Sequence, residues 1–151
     1  ANYNMDGQLV LAGLKADLES LVDTFKAAGA KRALVLDMSV ASHCELLQSA
    51  VENLKPYLFE FLNDEFLDVV SNVSAEVYNT KDEAIEFLSS QLIAPVKYKQ
   101  SIKAHDSKVD LYIEFGNGAV LKGLNKKSSE KPTLNVSDMK TLNETIEALN
   151  D

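Results

Sequence analysis

His43 is the residue best suited to chemistry, because it stands where an apolar run gives way to a helical pattern. Ser42 and Glu45 have the spacing of a capping box, in which each side chain bonds a backbone N–H at a helix start. We therefore predict that a helix begins at Ser42, with His43 as its first residue. The unpaired N–H groups there carry partial positive charge and disfavour imidazolium. His43 is thus a candidate general base, or alternatively a histidine that merely occupies a helix start.

Other chemistries find less support. Adjacent helical residues point in different directions, so His43 and Cys44 are not expected to form a thiol–imidazole pair. His105 lies in a polar stretch and is expected to be exposed and idle, and no metal site is predicted because these residues lack ligand spacing. The Gly-Asn-Gly turn at 116–118 lacks the third glycine of a dinucleotide fingerprint, because Leu121 stands there. A base needs a nucleophile, yet no G-x-S-x-G elbow occurs.

Composition limits the classes of partner. The chain has 151 residues, of which 46% are apolar and 25% charged, enough for one or two compact units. No apolar run approaches the roughly 18 residues of a membrane span, and no leader precedes the first strand, so neither a membrane nor export is expected. A net charge of -8 argues against nucleic acid. The single cysteine excludes an internal disulfide and fits the cytoplasm. Small molecules and proteins remain as partners.

Apolar patterning alternates strands with helices, which predicts an α/β fold. Thr80 and Glu83 form a second capping box, and Pro56 is expected to kink or divide its helix. Strands are predicted near 2–4, 9–13, 33–36, 69–73, 109–115 and 134–136, and helices over 15–28, 42–61, 81–92, 96–104, 119–124 and 139–149.

The first segment is expected to be an incomplete packing unit. Its predicted strands at 9–13 and 33–36 are apolar on consecutive residues, so both of their faces need cover. One helix, at 15–28, cannot supply it. We therefore expect the chain to begin inside a domain, with a strand and a helix missing before Ala1. A bare sheet edge pairs with another chain, so dimerisation through 1–14 or 31–37 is expected.

Several short motifs occur in a fixed order along the chain. They are N-Y-N with G-Q at 2–8, K-A-A-G-A-K-R-A at 26–33, S-V-A-S-H-C at 39–44, V-S-N-V at 70–73, Q-L with P-V at 91–96, and E-F-G-N-G with V-L-K-G-L at 114–124. Together they resemble the C-terminal half of the bacterial malonyl-CoA:acyl carrier protein transacylases, from Ala1 to about Lys127. Asn117 stands where the family usually has proline, and Ala41 stands where proline or another residue often precedes Ser-His.

The resemblance implies an architecture and a reaction. The fold would be part of an α/β-hydrolase-like acyltransferase core, over 39–151, preceded by half of a ferredoxin-like subdomain, over 1–38. The reaction would move a malonyl group from malonyl-CoA to the phosphopantetheine thiol of acyl carrier protein through an acyl-serine intermediate. It would belong to cytoplasmic fatty acid biosynthesis and need no cofactor besides its substrates.

The resemblance also implies roles for individual residues. His43 would take the serine proton and later protonate the leaving thiolate, the backbone carbonyl of Gln91 would orient its ring, and Asn4 would lie near the active site. The serine, the arginine that pairs with the malonyl carboxylate and a glutamine-rich loop precede Ala1 in such enzymes. We therefore expect this chain to be inactive alone.

A small basic run, Lys122, Lys126, Lys127 and Lys131, stands out in an acidic protein. It is either a solvated face or a docking site for phosphate or an acidic carrier protein, and Lys122, Lys126 and Lys127 are the candidate carrier contacts. Two alternatives to the malonyltransferase remain. One is a self-sufficient module that binds an acidic partner through these lysines, and the other is an acyltransferase domain of a polyketide synthase.

Overall fold

The structure is a computed structural model that describes residues 1–38 and 40–150. Ser39, where the second predicted domain begins, and Asp151 lie outside the described residues. Helices and short strands alternate along the chain, which confirms the predicted α/β class. The elements are β1 (Asn2–Met5), β2 (Gln8–Val10), α1 (Lys15–Ala27), a 3-10 turn (Glu45–Leu47), α2 (Gln48–Phe61), β3 (Val69–Val70), β4 (Val77–Tyr78), α3 (Lys81–Ser90), α4 (Tyr98–His105), a second 3-10 turn (Asp106–Lys108), β5 (Tyr112–Phe115), α5 (Val120–Asn125), β6 (Thr133–Val136) and α6 (Met139–Asn150).

The strands of the described residues pair two by two. β1 and β2 form an antiparallel hairpin, β3 and β4 a second antiparallel pair, and β5 and β6 a parallel pair. An isolated parallel bridge joins Asn2 to Val96 and so connects the first hairpin with the segment before α4. This bridge links the start of the chain to the segment that follows α3.

The β5–α5–β6 unit follows the predicted strand–turn–helix pattern. Gly116 and Gly118 in the turn have φ angles of 136° and 96°, which glycine adopts without a Cβ clash. The Glu114 carboxylate accepts hydrogen bonds from the backbone N–H groups of Leu121 (3.0 Å) and Lys122 (2.9 Å). The start of α5 is therefore occupied by a carboxylate of this chain, which agrees with a structural turn here rather than a phosphate site.

α3 begins as the second capping box predicts. The Thr80 hydroxyl oxygen accepts from the Glu83 backbone N–H at 3.4 Å and donates to the Glu83 carboxylate at 2.6 Å. These hydrogen bonds lower the pKa of Glu83, the Thr80 hydroxyl being the largest cause. Ala84 and Ser89 are buried, and α3 packs against α2, which continues through Pro56 as one helix.

The predicted helix start at Ser42 is wrong. Cys44 precedes the 3-10 turn, its side chain makes no capping hydrogen bond, and α2 begins only at Gln48. The Ser-x-x-Glu spacing is present, but the backbone leaves helical geometry before Glu45 because His43 has a positive φ of 56°.

The predicted strand at 33–36 is also wrong, because the described residues of this stretch form no ladder with any strand. A strand needs a neighbour for its N–H and C=O groups, and apolar sequence alone does not provide one. Leu34, Val35 and Leu36 are exposed, and α1 has no buried residue. The described residues therefore do not bury this segment, although its apolar sequence predicts burial on both faces.

Two ion pairs fasten the β1–β2 hairpin to α4. Asp6, in the hairpin turn, accepts from Lys99 and, at 3.0 Å, from Lys103. Its pKa is lowered chiefly by the hydrogen bonds from Lys99 and Lys103. Since the hairpin also carries the Asn2–Val96 bridge, these pairs hold it against the segment that follows α3.

We predict that Asp6→Asn loosens the hairpin without unfolding the chain, because exposed ion pairs contribute little to global stability. Amide hydrogen exchange of residues 2–10 should become faster. A group with a lowered pKa stabilises the fold above its unfolded value of 3.8 and loses this effect as pH falls below it, so acid should loosen the unsubstituted hairpin in the same way. Asp23→Asn, which removes an exposed pair with Lys26, is the control. Unchanged exchange in Asp6→Asn would contradict this role.

Candidate functional site

His43 lies in the turn before the 3-10 helix, with its side chain half-buried. Its φ of 56° is in the left-handed region, which costs an L-residue about 1–2 kcal/mol. The ring is therefore not placed by a helix start, and the helix-terminus argument for a neutral imidazole does not apply. What fixes the ring is a contact with a residue 48 positions later in the chain.

That contact is a hydrogen bond between His43 Nδ1 and the backbone carbonyl oxygen of Gln91, at 2.7 Å. A carbonyl oxygen can only accept, so Nδ1 carries the proton and donates it. In the neutral ring the other nitrogen, Nε2, is then unprotonated and able to accept a proton. The geometry therefore sets the tautomer that a general base acting through Nε2 requires.

The Gln91 carbonyl belongs to the end of α3, where helix carbonyls have no partner of their own helix. Its neighbours are occupied locally: Leu92 N–H donates to Ser89 O, and the N–H groups of Ile93 and Ala94 donate to Ser90 O. The imidazole thus caps one of the remaining carbonyls. The carboxyl end of a helix carries about half a negative charge, so a partial negative charge faces the ring.

The segment after Gln91 is held on both sides. Val96 N–H donates to Ala1 O at 2.7 Å and Val96 O accepts from Tyr3 N–H at 2.9 Å, while Lys97 N–H donates to Asn72 O at 2.8 Å. β1 and the turn after β3 therefore fix the chain on the far side of the loop. The carbonyl that orients His43 is presented from an anchored loop between two helices.

Asn4, the third predicted residue, lies on β1 at an irregularity in the hairpin register between Tyr3 and Met5. Asn4 is half-buried. Within the described residues its side chain makes no hydrogen bond to His43 or Gln91. The structure thus brings His43 and Gln91 into contact and leaves Asn4 on the neighbouring hairpin.

Among the described residues, no hydroxyl or thiol side chain is hydrogen-bonded to the His43 ring. The one hydrogen bond of the His43 ring among residues 1–38 and 40–150 is the bond to Gln91. In the same part of the chain no three His, Cys, Asp or Glu side chains are grouped as metal ligands. With Nδ1 bonded to Gln91, the neutral ring can accept and return a proton at Nε2.

The predicted carrier-contact lysines lie around α5 and the loop after it. Lys122 and Lys126 line a groove of about 330 Å³ with Glu144 of α6. Lys126 and Lys127 line a second, more open concavity of about 490 Å³ together with Lys131. Lys126 and Lys127 are exposed and Lys122 is half-buried. The two concavities share Lys126, so the basic run forms one continuous border.

A polar cluster holds this basic loop in place. Asp106 accepts hydrogen bonds from Ser129 and from the Tyr112 hydroxyl, the latter at 2.9 Å. The Ser129 hydroxyl is the largest cause of the lowered pKa of Asp106, and burial followed by Asp106 raises the pKa of Tyr112 to about 12. The loop carrying the lysines is therefore tied to the second 3-10 turn and β5.

Two residues with structural roles escaped the sequence analysis. Asn125 is buried, accepts from the Tyr98 hydroxyl at 2.7 Å and donates to Thr133 at 3.1 Å, which joins α4, α5 and β6. His105, expected to be exposed and idle, is half-buried and its Nε2 bonds the carbonyl of Ala75 at 3.1 Å. The Tyr98–Asn125 and Ala75–His105 contacts join positions 27 and 30 residues apart, so no local spacing signals them.

The described residues contain no helix that is both long and apolar enough to cross a membrane. No protein-family model matches the chain. Among curated proteins it is similar to the malonyl CoA-acyl carrier protein transacylase of Bacillus subtilis (strain 168), with 39% identity over 100% of this chain and 49% of the relative. That of Haemophilus influenzae is 36% identical over 98% of this chain and 48% of the relative. The chain therefore spans about half the length of these relatives.

Solved structures agree. The malonyl-CoA:acyl carrier protein transacylase of Helicobacter pylori has 46% identity and a TM-score of 0.96, over 100% of this chain and 49% of that one. A malonyl-transacylase solved in complex with its type II PKS acyl-carrier protein has 34% identity and a TM-score of 0.91, over 98% of this chain and 49% of that one. Each matched region is about half of a longer chain.

We predict that the two histidines hold opposite neutral tautomers. His43 donates through Nδ1, whereas His105 donates through Nε2 to the Ala75 carbonyl, so each serves as the control for the other. Nitrogen-15 NMR of the imidazoles above their titration range should show the Nδ1–H form for His43 and the Nε2–H form for His105. An Nε2–H tautomer at His43 would exclude the hydrogen bond to Gln91 and the free Nε2.

Proposed function

Because the chain matches one half of the malonyl CoA-acyl carrier protein transacylases over its full length, we propose that it supplies the general base for malonyl transfer from malonyl-CoA to acyl carrier protein. The observation that carries this proposal is the hydrogen bond from His43 Nδ1 to the Gln91 carbonyl. It leaves Nε2 as the proton acceptor and replaces the carboxylate of a Ser-His-Asp triad with a backbone oxygen.

The reaction divides into two proton transfers through His43. A serine outside this chain attacks the malonyl thioester carbonyl as Nε2 takes its proton, and the coenzyme A thiolate leaves with that proton, which gives the acyl-serine. The phosphopantetheine thiol of the carrier then gives its proton to Nε2 and attacks the acyl-serine, and the serine oxygen recovers the proton. The Gln91 carbonyl keeps the proton on Nδ1 throughout, so only Nε2 gains and loses one as the ring passes through imidazolium. Asn4 on the adjacent hairpin is a substrate-orienting residue.

The same relationship suggests how the chain is divided. We assign residues 1–38 to the second half of a ferredoxin-like subdomain and 39–151 to an α/β-hydrolase-like acyltransferase core. The β1–β2 hairpin and α1 support the first assignment as a strand–helix unit, and the β5–α5–β6 crossover supports the second. The single cysteine suits a cytoplasmic reaction of fatty acid biosynthesis.

The basic border around α5 is our candidate docking site for the carrier protein. Lys126 and Lys127 are exposed, Lys122 faces the adjoining groove, and the loop is held by Asp106 and Asn125. Positive charge on a held surface of an otherwise acidic chain favours an acidic partner and raises its association rate. The relative solved with its acyl-carrier protein supports a carrier as that partner.

We predict that the chain alone does not transfer malonyl groups, and that activity appears when it is combined with the half of a relative that it does not match. His43→Ala should then lower the rate of acyl-serine formation by about 10²–10⁴-fold, the usual contribution of a general base. Intact mass spectrometry of the serine-bearing polypeptide measures this step. His105→Ala, which removes the other histidine, should leave it within a small factor.

Undiminished acylation of the partner by the His43→Ala variant would refute the proposed role of His43. Malonyl transfer by the chain alone would refute the assignment of the nucleophile to another polypeptide. Repeating the transfer step with carriers of fatty acid and polyketide type would separate the malonyltransferase of fatty acid biosynthesis from the polyketide alternative.

We predict that the paired change Lys126→Glu and Lys127→Glu raises the KM for the carrier protein and leaves the KM for malonyl-CoA unchanged. Reversing charge at the rim of an interface acts mainly on encounter, so the effect should shrink as salt is raised. Steady-state kinetics at two ionic strengths would measure it. Lys55→Glu, an exposed lysine on α2, is the matched control. An equal rise in the KM for the carrier protein in both variants would contradict a docking role for the basic border around α5.

A further inference from the structure

Helix α4 is attached at both of its ends to the region that carries the predicted carrier-contact lysines. At its start, the Tyr98 hydroxyl donates to the side-chain oxygen of Asn125 on α5, at 2.7 Å. Directly after its end, Asp106 accepts from the hydroxyl of Ser129 in the basic loop. Since α4 follows the loop that presents the Gln91 carbonyl, it lies between the candidate base and the basic border around α5.

The attachment at Tyr98 is part of a buried polar network. Asn125 is only 3% exposed, and its amide nitrogen donates to the Thr133 hydroxyl of β6 at 3.1 Å. Burial, followed by the charge of Glu114, raises the pKa of Tyr98, so its hydroxyl keeps the proton that it donates. A buried amide oxygen without its donor is strongly disfavoured, because no water replaces the lost hydrogen bond. The fold therefore holds Asn125 against Tyr98.

The backbone of Asn125 also shapes the basic loop. Its carbonyl oxygen accepts from the N–H groups of Ser128 at 2.9 Å and Ser129 at 2.8 Å. Lys126 and Lys127 lie between Asn125 and these two serines, within the turn that the carbonyl closes. One residue thus makes both the contact with α4 and the turn that carries the exposed lysines, so the contact with Tyr98 sets where that turn lies.

Tyr98 is in turn fixed relative to the carbonyl that orients His43. It is the first residue of α4 and follows the loop that begins at Gln91. The two residues before it, Val96 and Lys97, are anchored by backbone hydrogen bonds to β1 and to the turn after β3. A continuous path of hydrogen bonds and anchored backbone therefore connects the His43 ring with the basic loop.

We propose that Tyr98 is a positioning residue for the carrier protein: through Asn125 it holds the basic border around α5 in a fixed place relative to the His43 ring, so that the phosphopantetheine thiol of a docked carrier reaches Nε2. The inference rests on the proposed function for the carrier and for the role of His43. Carrier affinity depends mainly on the charges that the border presents. Delivery of the thiol depends on position, because a displacement of about 1 Å can slow a reaction by as much as about 10²-fold.

The test uses the full chain and holo-acyl carrier protein that bears a nitroxide spin label on its phosphopantetheine thiol. Titration gives the dissociation constant, and paramagnetic relaxation of the His43 ring protons reports how near the label comes, because this relaxation falls steeply with distance. The unsubstituted chain should show strong relaxation at His43. Tyr98→Phe should bind the carrier with an unchanged dissociation constant and lose most of that relaxation, because the border is no longer held at its place.

Thr133→Val is the matched control, because it removes the other hydrogen bond of the same buried amide and leaves the contact with Tyr98 in place. It should keep the relaxation at His43. Asn125→Ala cuts the contact from the other side and should reproduce the loss seen in Tyr98→Phe, so the result does not depend on one variant. Circular dichroism shows whether each variant keeps its helices.

The possible failures are distinguishable. Unchanged relaxation at His43 in both Tyr98→Phe and Asn125→Ala, or an equal loss in Tyr98→Phe and Thr133→Val, would overturn the positioning role and leave the proposed function standing. A loss that only follows weaker carrier binding would overturn it in the same way. A carrier that does not bind the unsubstituted chain would refute docking at the basic border around α5, and the positioning role with it.

Discussion

The hydrogen bond between the His43 ring and the Gln91 carbonyl is the interaction on which the candidate site depends. It joins the turn that contains His43, whose φ is 56°, to the end of α3. Because the acceptor is a neutral backbone oxygen, its position is set by the fold and it cannot be protonated. A carbonyl at a helix end also brings a share of the helix dipole, so it retains part of the electrostatic character of a carboxylate. Backbone hydrogen bonds of Val96 and Lys97 anchor the loop that follows this oxygen.

Local sequence signals predicted elements whose stability is local. Thr80 and Glu83 cap α3 because both bonds lie within one turn, and the periodic apolar residues of α6 produce the helix at 139–150. The same spacing at Ser42 and Glu45 gives no cap, because the backbone there follows the long-range contact of His43 and not the preference of one turn. The spacing of two residues shows that a capping box is possible, and tertiary contacts decide whether it forms.

The strand predicted at 33–36 failed for a different physical reason. A helix satisfies its own backbone, whereas a strand exists only beside another strand. The apolar run predicts that this segment requires cover on both faces, and Leu34, Val35 and Leu36 are exposed in the described chain. Apolar residues thus predict that a segment tends to be buried. Whether the segment forms a strand depends on a neighbouring strand, which its own sequence does not reveal.

Residue types alone predicted only one of the two groups in the candidate site. A histidine is visible as a residue type, but its orientation comes from a backbone oxygen, and every residue carries one, so no side-chain pattern could single out Gln91. Order and spacing of the motifs indicated that oxygen through resemblance, and the contact at 2.7 Å is present. The ring and the carbonyl that orients it both lie in this chain, and general-base catalysis under the proposed function would act through the unprotonated Nε2. The contact with Gln91 therefore determines which ring nitrogen is available before any substrate binds, because it joins two residues of the fold itself and leaves Nε2 as the acceptor of the neutral ring.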